Sequence, residues 1–189
     1  MNCNIRNSGR RKQRGFSLYE LMIALGLAGG MSTAGASLYD VVHQHRVAAE
    51  VNQFLTHLSL ARSEAIKRGE TVTFCPSTDG QLCADATDFS WWQRGALLFV
   101  DRNDNGRVDG AETVLRVHTA TDHVRIKSSR ARERVLYQPN GSAGGHNITF
   151  TVCAGQADAR YVIVSNSGRA RSAVRPPDGR ADEPLERCA

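Results

Sequence analysis

Residues 1–15 contain no acid, and residues 16–39 contain no base. The first stretch is wholly cationic, with Arg6, Arg10, Arg11, Lys12 and Arg14. The second carries a single charged residue that is not at its end, Glu20. The usual marks of catalysis are also missing. There is no nucleophile elbow and no metal-binding helix pattern. No two cysteines have Cys-x-x-Cys spacing. His43 and His45 lie at i, i+2, which do not share a helix face. These absences argue against an enzyme and leave no residues to assign to a cofactor. No internal repeat is present, which excludes a solenoid. Lysine is scarce at three residues, so any cationic surface must be built from arginine.

The chain has 189 residues, enough for one domain with an appendage. Apolar residues at 41% and charged residues at 23% are globular proportions. The net charge is +5, from 24 basic and 19 acidic residues. The first fifteen residues hold five of the bases, and 24 − 5 leaves 19 against 19. Without them the chain is neutral, and only local patches can attract a polyanion.

The run 16–39 spans roughly 36 Å as a helix, enough for a bilayer core of about 30 Å. Basic residues precede it, so the N-terminus is expected to stay cytoplasmic and the remainder to lie outside. No small-x-small cleavage site closes the run, which separates it from a conventional secretory signal. The helix is expected to continue over 40–68. Val47, Val51, Phe54, Leu55, Leu58, Ala61 and Ala65 recur at three- and four-residue steps and form one apolar stripe. Gly69 after Lys67 and Arg68 is the expected stop.

From Thr71 the period changes to that of strands. Thr71–Cys75, Ala96–Val100, Val114–Val117, Val124–Lys127, Val135–Gln138, Ile148–Val152 and Tyr161–Val164 are the expected segments. Turn residues separate them, so 69–189 is read as β-rich, with an irregular tail from Arg175. One long helix followed by short strands predicts an α+β domain in which an antiparallel sheet covers the apolar stripe. Beyond Cys3 there are four cysteines, which allow three pairings. Cys75 and Cys83 enclose a Pro/Asp/Gly turn and are expected to pair locally, and Cys153 with Cys188.

Arg14-Gly15-Phe16-Ser17-Leu18-Tyr19-Glu20-Leu21-Met22 resembles the class III signal of type IV pilins and pseudopilins. The resemblance implies that a prepilin peptidase cuts between Gly15 and Phe16 and methylates Phe16. It also implies that Glu20 attracts the Phe16 amine of a neighbouring subunit, a partner that a carboxylate in a membrane requires. Tyr19 departs from the pattern, where an aliphatic residue is usual. Further segments, Arg62–Gly69, Val72–Ser77 and Leu98–Asp101 with Asn103, Asn105-Gly106, Asp109 and Glu112–Leu115, look like the GspH/FimT group of minor pilins and type II secretion pseudopilins. The fold so implied is a long N-terminal helix packed on antiparallel β-structure, without enzymatic activity. The location implied is the inner membrane, with a periplasmic C-terminal domain, and then the pilus tip.

Two constellations remain. Asp101-x-Asn103-x-Asn105-Gly106 with Glu112 fits a calcium-loop pattern. Its flanks read as strands and Arg107 places a cation inside it, so a hairpin loop of side chains bonded to their own backbone is the expected form. The second is basic. Arg125, Lys127, Arg130, Arg132 and Arg134 form one cluster, and Arg160, Arg169, Arg171 and Arg175 another. In Gly168-Arg169-Ala170-Arg171, two arginines at i, i+2 fall on one side of an extended segment. Guanidinium forks suit phosphate oxygens. The Gly-Arg-x-Arg run resembles the C-terminal motif of FimT-type minor pilins that bind DNA in natural transformation. Such contacts position a backbone without reading sequence, so the implied binding to double-stranded DNA is non-specific and salt-sensitive. The competing expectation is a structural subunit that primes pilus or pseudopilus assembly, with a merely solvated arginine face.

Overall fold

The computed structural model describes residues 17–84, 91–110, 112–119, 121–129, 133–155 and 159–175, giving the backbone alone for 28–40 and 91. Gly15, Phe16, Arg130, Arg132 and Cys188 lie outside the described residues. One helix, α1 (Leu18–Arg68), precedes eight strands. These are β1 (Thr71–Pro76), β2 (Gly95–Asp101), β3 (Thr113–Thr119), β4 (Arg125–Ser128), β5 (Val135–Tyr137), β6 (Ile148–Cys153), β7 (Arg160–Val164) and β8 (Ala170–Ala173). A short 3₁₀ turn, Trp91–Arg94, leads into β2.

Helix α1 passes through two compact units, Met1–Tyr39 and Asp40–Ala189. In the first, Ser17 O accepts the first helical bond from Leu21 N at 3.1 Å. Ser17 and Glu20 have the spacing of a capping box, and the acid lies in the first turn, where the helix dipole favours it. Leu18, Tyr19, Leu21, Met22, Ile23, Leu25 and Leu27 are all exposed, so this part of the helix is apolar on every side. Among the described residues no helix is long and apolar enough to cross a membrane. The span expected over 16–39 falls partly on 28–40, whose side chains lie outside the description.

The second unit holds the core. Two four-stranded antiparallel sheets form it, ordered β3-β2-β1-β5 and β4-β6-β7-β8. Both sheets, not one, cover the stripe of α1. Val47, Val51, Phe54, Leu58, Ala61 and Ala65 pack with Val72, Phe74, Ala96 and Leu98 of the first sheet and Ile126, Phe150, Val152 and Val162 of the second. Phe54 is fully buried at the meeting point. Its ring lies 5.6 Å from Phe74 and 5.2 Å from Phe150, both edge-on. Burying such a side chain contributes about 1.5–3 kcal/mol, and the edge-on pairs add roughly 0.5–1.5 kcal/mol each.

Strand β2 is buried at all seven positions. Its inner side chains meet α1, while Leu97 and Phe99 on the outer face pack with Cys75, Cys83 and Val108. The loop over that face is fixed by the Cys75–Cys83 disulfide, with Cα atoms 5.6 Å apart, as the local pairing predicts. Asp79 Oδ1 holds the same loop, accepting from Leu82 N at 3.0 Å and Gln81 N at 2.8 Å. Those amides hold the Asp79 carboxyl below its ordinary value. Cys153 is also disulfide-bonded; the expected partner, Cys188, lies outside the described residues.

Candidate nucleic-acid interface

Sheet register decides which basic side chains share a face. Directly opposed residues of antiparallel strands point to the same side, and neighbours along a strand alternate. In the second sheet Ile126, Phe150, Val152, Val162 and Val164 face the core. The other side is therefore built from Arg125 and Lys127 on β4, Thr149 and Thr151 on β6, Tyr161 and Ile163 on β7 and Arg171 on β8. Lys127 opposes Thr151, Thr151 opposes Tyr161, and Ile163 opposes Arg171. Tyr161 is buried there and its phenol is pushed up by burial. Arg125, Lys127 and Arg171 are exposed, two on one edge strand and one on the other. Three strand spacings, about 14 Å, separate the rows.

The β7–β8 hairpin sets the arginines in place. Ser165 N donates to Arg169 O at 3.1 Å and Gly168 N donates to Ser165 O at 2.8 Å, closing a three-residue loop. Gly168 has φ of 78°, and a Cβ there would collide with Gly141 O. No other residue fits, because the obstacle is backbone and the conformation is left-handed. Ala143 N donates to Asn166 O at 2.9 Å, tying the hairpin to the loop before β6. Gly141 is packed in turn against Ile66 and Arg62 of α1. Gly168 thus has a positioning role. It presents no side chain to a ligand, and it fixes where β8 begins. Arg169 precedes Arg171 by two residues and is exposed like it.

The remaining predicted residues are placed differently. Arg160 is exposed at the start of β7, but it opposes Val152 and alternates onto the side opposite Arg171. Arg175 is exposed in a bend beyond β8. Arg134 is drawn away to the Asp101 loop, donating to Gly106 O at 2.7 Å and pairing with Glu133 at 3.2 Å. Among the described residues, ion pairs join Glu64 with Lys67 and Arg68, Glu70 with Arg102, Glu50 with His118, and Glu133 with Arg134, and Arg125 and Lys127 have contacts of their own. Arg169 and Arg171 are in none of them.

The Asp101 loop uses its acids on itself. Asp101 Oδ1 accepts from Asn105 N at 3.1 Å, and Oδ2 accepts from Gly106 N at 2.8 Å and Thr73 Oγ1 at 2.9 Å. Glu112 Oε1 accepts from Arg102 N at 3.0 Å. Burial, with the charges of Asp101 and Asp109 nearby, pushes the Glu112 carboxyl up. Among the described residues no group of three or more His, Cys, Asp or Glu is arranged to hold a metal ion.

Strand β8 itself had no clear signal in the sequence. Ala170–Ala173 carries no apolar alternation, and its only mark is the glycine turn ahead of it. The buried Glu50 and His118 are not among the residues the sequence singles out, although Glu50 sits three residues after Val47 and so falls on the stripe.

Residues 50–168 match the family described as Type II transport protein GspH. A relative, the pilin-like protein PilA1 of Thermus thermophilus, is 31% identical over 168 residues, covering 84% of this chain and 97% of its own. The crystal structure of FimU, a type IV minor pilin of Pseudomonas aeruginosa, has a TM-score of 0.53 at 19% identity, covering 69% of this chain and 90% of that one, a likeness of fold. The helix clasped between two antiparallel sheets, the match over most of the globular unit and the near-full-length relative agree: the chain belongs to the GspH family of pilin-like proteins.

Proposed function

We propose that this subunit is a minor pilin of a type IV pilus that binds extracellular double-stranded DNA, without sequence preference, for uptake in natural transformation. The family is structural and not enzymatic, so the function sought is one of assembly and binding. The observation that carries the reading is the arrangement of Arg169 and Arg171 on one edge of a sheet face whose other edge bears Arg125 and Lys127. These two segments are some 40 residues apart in sequence, and the register brings them to one surface. Guanidinium and ammonium groups on two parallel rows suit the phosphates of a duplex lying across the strands. Arg175, exposed just beyond β8, adds to one row, Arg130 follows Lys127 by three residues in the sequence, and Arg160 contributes only to the general field.

In this reading 16–39 anchors the subunit in the inner membrane, with the globular unit in the periplasm, before assembly into the pilus. A prepilin peptidase cuts after Gly15, and Glu20 meets the amine of Phe16 on an adjoining pilin. Cleavage also removes the five leader bases, leaving the sheet face as the local source of attraction for DNA. A second reading, an assembly-priming minor pilin or type II secretion pseudopilin without DNA binding, draws on the family description, which names type II transport. Titration of residues 40–189 with duplex DNA at low salt separates the two. The proposed function expects binding that Arg169→Ala with Arg171→Ala weakens, whereas equal binding by the wild type and the variant removes it.

A further inference from the structure

The core contains a cluster of titratable side chains that the proposed function does not use. Glu50 is 2% exposed and His118 is 3% exposed, both among the apolar side chains around Phe54. His118 Nε2 lies 2.7 Å from Glu50 Oε1, a close approach between α1 and β3. Thr121 Oγ1, just beyond β3, donates to Glu50 Oε2 at 2.6 Å. His57 stands two turns further along α1, its ring 5.4 Å from that of His118. The Nδ1 atoms of His57 and His118 are buried without a hydrogen-bond partner. A buried acid is retained at a cost unless it is held by partners. Here the partners come from the strand that α1 must grip.

We infer that Glu50, His118 and His57 form an acid-released latch, which fastens α1 to β3 at neutral pH and loosens that seam when the surroundings acidify. The groups facing the cluster are few. Helix α1 supplies Glu50 and His57, β3 supplies His118 and Arg116, and the segment after it supplies Thr121. Strand β1 presents Phe74, whose ring is 6.0 Å from His57 and carries no charge.

The direction follows from these neighbours. Burial, then the charges of His118 and Arg116, hold the His57 imidazole below its ordinary value, and Glu50 offsets this only partly. Burial pushes the Glu50 carboxyl up, but His118, Thr121 and His57 outweigh it and leave the carboxyl below its ordinary value. Below pH about 6.5 the unfolded chain takes up a proton that folded His57 resists, so stability falls as pH drops through that value. Glu50 adds stability above pH about 4.5, and this is lost as pH falls through its folded pKa. Both groups act in the same direction. Once protonated, His57 also confronts Arg116 and His118 across the seam.

The test is hydrogen–deuterium exchange of the full chain in detergent micelles at pH 7.5 and 5.0, corrected for the intrinsic rate. Peptides over 47–61 and 113–119 should lose protection at pH 5.0, about tenfold for each unit by which the His57 pKa is depressed. Peptides over 160–173 should hold theirs. His57→Phe should retain protection at pH 5.0 and match the wild type at pH 7.5. Equal protection of the wild-type seam at both pH values overturns the latch, as does an undiminished loss in His57→Phe. Should that variant fail to fold, the wild-type ring proton of His57 is followed by NMR. Titration below pH 6.5 supports the latch, and titration at or above it overturns the latch.

Discussion

Removing Arg169 and Arg171 together tests the proposed interface most sharply, because geometry gives the size of the effect. Four cations, Arg125, Lys127, Arg169 and Arg171, stand on one face of the second sheet. If each meets a phosphate, log K falls against log salt with a slope of about −3.6, close to 0.9 per contact. Raising salt from about 50 to about 200 mM should then weaken duplex binding roughly 150-fold. Arg169→Ala with Arg171→Ala leaves about two contacts, a slope of about −1.8 and a loss of only about twelvefold over the same range. Arg125→Ala with Lys127→Ala should behave alike, although the two pairs are far apart in sequence. Arg160→Ala is the control, since its side chain lies on the opposite side of the sheet, and its slope should match the wild type. Fluorescence anisotropy with a labelled duplex measures all four slopes. A slope that Arg160 lowers and Arg171 does not would refute the assignment of the face. A flat wild-type slope would refute phosphate contact altogether.

Three further outcomes follow from the same structure. Gly168→Ala places a Cβ against Gly141 O in a left-handed turn, so it should cost at least about 2 kcal/mol, or about 4–8 °C in Tm by thermal unfolding. Cys75→Ser with Cys83→Ser opens a short surface loop and should lower stability by roughly 2.5 kcal/mol in urea unfolding, with Leu97 and Phe99 losing their outer cover. Mass spectrometry of protein recovered from the filament should find methylated Phe16 at the N-terminus; an intact Met1 would end the pilin-processing proposal.

The helix and seven of the strands were legible in the sequence because an apolar run or an apolar period, bounded by turn residues, marks each. The stripe from Val47 to Ala65 is a helical repeat, and Ile148–Cys153 alternates with the period of two that burial on one side imposes. Strand order was not legible, since alternation says which residues are buried and not which strands pair. That is why one sheet was expected over the stripe where two are found. Strand β8 was hidden because an edge strand with one partner needs little apolar content, and its place is set by the hairpin at Gly168. The basic cluster at Arg125–Arg134 looked uniform in sequence, yet Arg134 bonds the Asp101 loop while Arg125 and Lys127 stand exposed on β4. Glu50 was overlooked because an acid within an apolar stripe is read as an interruption, and only the approach of His118 from a distant strand gives it a partner.

Strand β8 has one more consequence. It ends its sheet, so among the described residues no further strand bonds its outer backbone groups. Unguarded edges of this kind join edge to edge and seed aggregates. Arg169 and Arg171 repel an identical edge, and the Gly168 turn keeps the strand short. A variant that loses the residues proposed to capture a polyanion should therefore be judged for solubility as well as for binding.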